Sequence, residues 1–340
     1  MRPQIKDITL DLLQKCYQNC LFCSSNSSKD QNTQLEYDVV KNVLREFNIL
    51  GGKIVEFSGG EPLAYYKINE LIKYAKDLGL ETHLFTCCQI PKRINYNLLD
   101  NIDKIFINLQ APNRELHDYL TDKRGSFERT IEFIKISKEK GKWIGTHFIP
   151  LKYNIDEIDD YIKLTQNLKL DNISLLRFVT QGRGKSNKLE LNSDEILQLH
   201  ALIGKYSGLD KPHFKIGCPL DFQFIYNKTM NAKPCVSGIS RCVVRPNGNI
   251  IPCPAFKDAQ EFIAGNVYNN SFTKIWDSGE IFQKIREFDY AKLTGLCSSC
   301  NFLSICKGRC HAQRLHIFKN IYKGPDPYCP LYLTKNIVQL

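Results

Sequence analysis

The sequence predicts an α/β protein: a partial, TIM-like barrel of six strand–helix units with a cysteine-rich unit behind it. Three observations carry this. Short apolar strands alternate with amphipathic helices through the first 205 residues, which implies a parallel sheet. Glycine-rich and polar motifs follow the strands directly, and β/α barrels keep their chemistry at the C-terminal ends of their strands. Nine of the 14 cysteines fall between Cys218 and Cys329. A chain of 340 residues is long enough for one large domain and a smaller one. The expected division is a barrel over 1–205, a linker over 206–232 and the cysteine unit over 233–340.

Taken in order, Ile5 to Leu13 alternates in part (Ile8, Leu10, Leu12) and reads as a strand. Leu35 to Leu50 reads as an amphipathic helix closed by Gly51-Gly52. A strand over Lys53 to Phe57 runs into Ser58-Gly59-Gly60-Glu61-Pro62. Ile68, Leu71, Ile72, Ala75 and Leu78 recur at helical spacing, and Gly79 ends that helix. Strands follow at Glu81 to Thr86 and Lys104 to Leu109. Ser126 is the expected N-cap of a helix from Phe127 to Lys140, closed by Gly141. Strand Trp143 to Ile149, helix Asp156 to Leu168, strand Asn172 to Leu176 and helix Ser193 to Lys205 complete six units. Eight would close a barrel, so six predict an open one.

Composition excludes several classes. No run of about 18 apolar residues predicts a membrane span, and Met1-Arg2-Pro3-Gln4 lacks the apolar stretch of a signal peptide. A cytoplasmic protein is expected, and in a reducing compartment so many cysteines point to metal ligation or catalysis instead of disulfides. The formal charge is +10, but the Lys and Arg are spread widely. A solvated surface accounts for that, and nucleic acid is not an expected partner.

The densest motif is Cys16-Tyr17-Gln18-Asn19-Cys20-Leu21-Phe22-Cys23. Three thiolates at x3 and x2 spacing can hold three irons of a [4Fe–4S] cube, leaving a fourth iron open to a small molecule. Zinc wants four ligands, usually in paired Cys-x2-Cys or Cys/His sets, and fits this spacing poorly. Cys-x3-Cys-x2-Cys with an aromatic before the last Cys resembles the signature of the radical S-adenosylmethionine (SAM) enzymes. The resemblance implies that the open iron chelates SAM, that Phe22 lies beside it, and that one electron releases a 5′-deoxyadenosyl radical which abstracts a substrate hydrogen. Flavodoxin or ferredoxin is the implied reductant.

Other stretches extend the resemblance. Ser58, Gly59, Gly60 and Glu61 resemble the family's GGEP element, whose backbone contacts the SAM amino group. Glycine lets a backbone approach a ligand closely, and Glu61 could orient that ligand or stabilise the turn. Asn108, Gln110, Glu115-Leu116-His117-Asp118 and Gly125-Ser126-Phe127 resemble a further stretch, implying a SAM contact at Asn108. A surface or capping role is expected for His117. Arg177-Phe178 and Gly182-Arg183-Gly184 resemble another, implying that Arg177 contacts a SAM or substrate carboxylate, with a surface loop as the alternative. Cys87 and Cys88 depart from the family pattern after the third strand. They read either as small core thiols or as catalytic thiols at the barrel mouth.

The last third resembles the SPASM domain, which holds two auxiliary [4Fe–4S] clusters and would bring the total to three. Cys297, Cys300, Cys306 and Cys329 match the second cluster; Cys235, Cys253 and Cys310 match the first. Its fourth ligand is Cys242 or Cys218, with Cys242 favoured because it lies on a hairpin strand facing that of Cys253. Pro246-Asn247-Gly248 is the turn of that hairpin. The resemblance implies oxidation of a peptide or protein substrate, by crosslinking or side-chain oxidation. Oxidation of a small molecule such as a haem precursor is the alternative, and a non-catalytic electron carrier a third. Only 15 residues precede Cys16, so a separate recognition protein or direct docking is expected for a leader peptide.

Overall fold

The computed structural model describes residues 4–91, 94–217, 220–227 and 234–337. Seven parallel strands form the barrel wall: β1 (Asp7–Asp11), β2 (Ile54–Ser58), β3 (Glu81–Thr86), β4 (Lys104–Asn108), β5 (Trp143–Phe148), β6 (Asn172–Leu175) and β7 (His213–Ile216). They lie side by side in chain order. Registers such as Leu10 with Phe57, Phe85 with Phe106 and Asn108 with His147 put side chains of one parity on one face.

That parity separates two environments. Ile8, Leu10, Phe57, Leu84, Ile105 and Ile107 face the helices and join one apolar core. Alternate positions face the lumen. There the Thr9 hydroxyl donates to Glu56 at 2.6 Å, and Arg241 reaches Glu56 at 3.0 Å and Asp7 at 3.1 Å. Phe85, Phe106 and His147 stack with centroids 4.8–5.2 Å apart. Burial, aided by Lys215 and Arg241, pushes His147 down to a pKa of about 3, so its ring is neutral.

Six helices back the wall: α1 (Tyr37–Ile49), α2 (Ile68–Asp77), α3 (Arg114–Thr121), α4 (Ser126–Glu139), α5 (Ile158–Asn167) and α6 (Ser193–Tyr206). Five match the expected helices to within two residues or so. Asn192 and Glu195 form a reciprocal capping box that starts α6. The start of α4 differs from expectation. Its N-cap is Gly125, at φ +76°, and Ser126 is already helical. The Asp118 carboxylate accepts from the Gly125 and Phe127 N–H groups at 2.6 and 2.9 Å, which frees the Ser126 hydroxyl to point inward.

Two features add to the expected division. Residues 206–232, expected as a linker, contribute β7. The strand is four residues long, with exposed His213 and Lys215, so it has little apolar signal. The cysteine unit is also not separate from the sheet. Its hairpin, β8 (Arg241–Val244) and β9 (Asn249–Ile251), with β10 (Gly265–Asn266) beyond, lies against β1. β8 pairs with β1 in parallel, Ile8 opposite Cys242. One ten-stranded sheet therefore runs β10-β9-β8-β1 and on to β7. Among the described residues, no helix is long and apolar enough to cross a membrane.

Candidate functional site

The loop after β1 crosses the mouth of the barrel and carries Cys16, Cys20 and Cys23. Main-chain bonds hold it: Cys16 N donates to Ser28 O at 3.0 Å, Asn19 N to Thr121 O at 3.1 Å and Leu21 N to Leu120 O at 2.9 Å. Arg183 supplies a second set. Its Nε donates to Cys20 O at 2.8 Å, its Nη2 to Ser27 O at 2.9 Å and its backbone N–H to Cys23 O at 2.9 Å. Gly182, at φ +56°, packs so closely that a Cβ would sit 2.6 Å from Cys23 O. The segment Gly182-Arg183-Gly184 thus buttresses the cysteine loop. Phe22 is buried beside Leu120, Leu151 and Phe178.

The three thiols lie close enough to interact. Burial raises the Cys20 thiol, and Cys16 and Cys23 raise it further, while Arg183 opposes them. Three thiols fixed by their backbones at a barrel mouth suit a cube that keeps one iron open.

The glycines after β2 serve this loop. A Cβ on Gly59 would sit 2.5 Å from Leu13 O, and Gly60 touches the Lys15 carbonyl. Gly60 N and Glu61 N donate to Leu13 O and Lys15 O at 2.7 and 2.9 Å. The glycines make their close approach to the cysteine loop. Glu61 is fully buried and stabilises the turn. Its carboxylate accepts from Leu63 N at 3.0 Å, the Thr86 hydroxyl at 2.7 Å, and Cys87 N and Sγ at 2.9 Å each. Burial pushes its pKa up, against these donors.

Cys87 and Cys88 part company. Cys87 Sγ lies 3.9 Å from Cys16 Sγ as well as against Glu61. Burial raises the Cys87 thiol, whereas the sulfur contact with Cys87 lowers Cys16. Cys88, at φ +61°, turns its side chain into the apolar core. Of the two readings of Cys88, the packing agrees with the small core thiol.

Sequence reasoning missed a buried polar network under the loop. Gln18 Nε2 donates to Ser126 Oγ at 2.6 Å, and Gln18 Oε1 accepts from Cys20 Sγ at 3.2 Å and from Asn108 Nδ2 at 3.4 Å. Ser126 Oγ is 3.1 Å from His117 Nε2, and His117 Nδ1 accepts from Gln110 N at 3.2 Å. His117 is fully buried, not on the surface, and burial lowers its pKa to about 4. Asn108 is held within the network by Gln110 at 2.6 Å.

Arg177 also has a different partner from the one expected. Both its arms go to Asp326, Nη2 to Oδ1 at 2.7 Å and Nη1 to Oδ2 at 2.9 Å, with both side chains buried. The guanidinium stacks on Tyr328 at 4.1 Å. The carboxylate that Arg177 meets in this structure is that of Asp326, and its Nε is left without a hydrogen-bond partner among the described residues. Asp326 in turn accepts from Cys310 N at 3.0 Å and from Tyr328 N at 2.9 Å.

The C-terminal cysteines gather in two sets. Burial raises the Cys310 thiol, and Cys235 and Cys253 are near enough to raise it further. Cys297 interacts in the same way with Cys300, and Cys329 with both Cys306 and Cys297. Three successive residues at positive φ, Lys307, Gly308 and Arg309, reverse the chain between Cys306 and Cys310 and send them to different sets. Cys242 belongs to neither. On β8 its neighbour Val243 packs with Cys310 and Cys253, while Cys242 packs on the opposite face with Ile8 and Trp276. A strand's period of two forbids both from facing one site, which corrects the expectation that Cys242 is a ligand. Cys218 lies outside the described residues.

Fold and site define an iron–sulfur enzyme built on an open α/β barrel, with clusters of four irons and SAM as cofactors. Residues 11–165 match the radical SAM superfamily, and residues 235–301 match the SPASM iron–sulfur cluster-binding domain. It is 25% identical to an AdoMet-dependent heme synthase of Methanosarcina barkeri, over 95% of each chain. It is 25% identical to the PqqA peptide cyclase of Bradyrhizobium diazoefficiens, over 95% of this chain and 86% of that one. Its fold resembles that of Streptococcus suis SuiB bound to the precursor peptide SuiA, with a TM-score of 0.79, 20% identity, and 96% and 76% of the two chains covered.

Proposed function

We propose that this enzyme oxidises a peptide or protein side chain, or crosslinks it, through hydrogen abstraction at the barrel mouth. The observation that carries the oxidative part is the join between that mouth and the C-terminal cysteines. Arg177, just after β6, is bonded through Asp326 to Cys310, so an electron leaving a bound substrate has acceptors close by. The similarity to a peptide cyclase supports the substrate class.

In this reading Cys16, Cys20 and Cys23 hold the cluster that binds SAM, and the two supply a 5′-deoxyadenosyl radical when reduced. Ser58, Gly59, Gly60 and Glu61 fix the cysteine loop, and Asn108 faces SAM from β4. Phe22 shields one side by packing, and the stacked Phe85, Phe106 and His147 fill the lumen against water. Cys235, Cys253 and Cys310 hold one auxiliary cluster, with Cys218 taking the fourth place. Cys297, Cys300, Cys306 and Cys329 hold the other. Cys87 lines the first cluster's pocket. A flavodoxin or ferredoxin supplies electrons.

The heme synthase similarity, which spans 95% of both chains, favours a second reading, oxidation of a tetrapyrrole side chain. One experiment separates them. The reconstituted enzyme is given SAM, dithionite and either deuterated Cys-, Ser- and Thr-containing peptides or a deuterated propionate-bearing porphyrin. Deuterium in 5′-deoxyadenosine from peptides supports the proposal. Deuterium from the porphyrin alone replaces it with the second reading.

A further inference from the structure

Arg314 lies on the helix His311–Phe318, and it is completely buried. A guanidinium carries five N–H donors and no acceptor. Nη1 donates to Gly308 O at 2.7 Å. Nε and Nη2 are buried without a hydrogen-bond partner among the described residues. Asp326 is not available to them, because both its oxygens already take Arg177 and backbone N–H groups. The Phe288 ring, 5.3 Å from the guanidinium carbon, supplies a weak contact only. A buried cation left so is strongly disfavoured unless an anion completes the site.

Beyond Asp326, the charge partners of Arg314 are thiols. Arg314 interacts electrostatically with Cys310 of one set and with Cys297 and Cys306 of the other. Gly308 makes the room, since a Cβ at that position would collide with Arg314 Nη1. We infer that Arg314 is the shared counter-cation of the two auxiliary clusters, donating from Nε and Nη2 to cluster sulfur and raising the reduction potential of both. This rests on the reading of those cysteines as auxiliary-cluster ligands.

The physical reason is direct. Reduction adds negative charge to a cluster, and hydrogen bonds to its sulfurs together with a fixed positive charge favour the reduced form. In a buried site little water screens that effect. Arg314 therefore makes both clusters better electron acceptors without touching substrate or SAM.

The test uses the full chain with Cys16, Cys20 and Cys23 replaced by Ala, so that only C-terminal iron is seen. After anaerobic reconstitution, reduction is followed by EPR against applied potential, with Arg314, R314M and R314K compared. In R314M the ratio of reduced to oxidised cluster at a given potential should fall about tenfold, which is about 59 mV for one electron. R314K keeps the charge without the planar fork and should fall between. R314M with full iron and unshifted potentials overturns the inference. Should R314M take up no iron, R314K decides: loading with lowered potentials supports the inference, and either unshifted potentials or failure to load overturns it. A parent chain that binds no C-terminal iron removes the cluster-ligand reading, and the inference with it.

Discussion

The two cysteine regions are held by opposite means. The loop with Cys16, Cys20 and Cys23 is tied by main-chain hydrogen bonds to its neighbours, with Arg183 capping its carbonyls from the side. The C-terminal cysteines are instead organised around buried charge, the Arg177–Asp326 pair and Arg314. Backbone anchoring fixes three thiols while leaving one side of the group open, as an exchangeable ligand such as SAM demands. Buried ionic groups fix the C-terminal cysteines from within, beside the buried Cys310 and Cys297, while the remaining cysteines of both sets stay part-exposed.

The largest effect should come from breaking the first region. Replacing Cys16, Cys20 or Cys23 with Ala is expected to reduce 5′-deoxyadenosine formation to background and to remove about four irons. Cys253→Ala should also lose about four irons yet keep SAM cleavage, which a substrate-free cleavage assay reads. If Cys253→Ala abolished cleavage as completely, the division of labour between the regions would fail.

Arg177→Met is the matching break in the second region. It strands Asp326, and losing one partner of a buried pair costs about 3–5 kcal/mol. Thermal melting should show a lower midpoint together with depleted C-terminal iron, and pairing the change with Asp326→Asn should recover much of the loss. Equal melting of parent and Arg177→Met would mean that the pair does not hold the two regions together.

A milder effect concerns pH. The His117 pKa is about 4 when folded, against about 6.5 unfolded. Between those values the unfolded chain binds the extra proton, so stability is intact above 6.5 and falls as pH drops toward 4. The total is on the order of 3 kcal/mol. His117→Gln should flatten the corresponding slope in denaturant titrations across that window, and an unchanged slope would place the titration elsewhere. The smallest effect is expected at Cys242. Cys242→Ala should retain the parent's iron content and cost about 1 kcal/mol as a small core cavity. Loss of four irons would return it to the ligand set.

Much of this was legible in the chain. Six of the seven barrel strands and five of the six backing helices carry apolar residues at period two or near 3.6, and the first cysteine motif is dense enough to stand out. What was not legible is mostly long-range. Arg177 meets Asp326 across 149 residues, and no local pattern distinguishes that pairing from a surface loop. The inward turn of Ser126 depends on Asp118 taking over the helix cap, a competition between two good capping residues. The facing of Cys242 depends on where β8 joins the sheet. The alternation of Arg241, Cys242, Val243 and Val244 alone does not say which side is core.

The union of β8 with β1 also sets an order of events in synthesis. The strand that carries the cysteine loop keeps one bare edge until Arg241–Val244 leave the ribosome. At about 5–20 residues per second, roughly 230 residues of further synthesis amount to about 10–50 s. Throughout that interval the nascent barrel presents an unpaired strand, the kind of edge that invites pairing with another chain. Chains halted just before residue 241 should therefore aggregate more than chains halted just after the hairpin, and sedimentation of the two stalled products would show whether the late hairpin acts as the guard of the early strand.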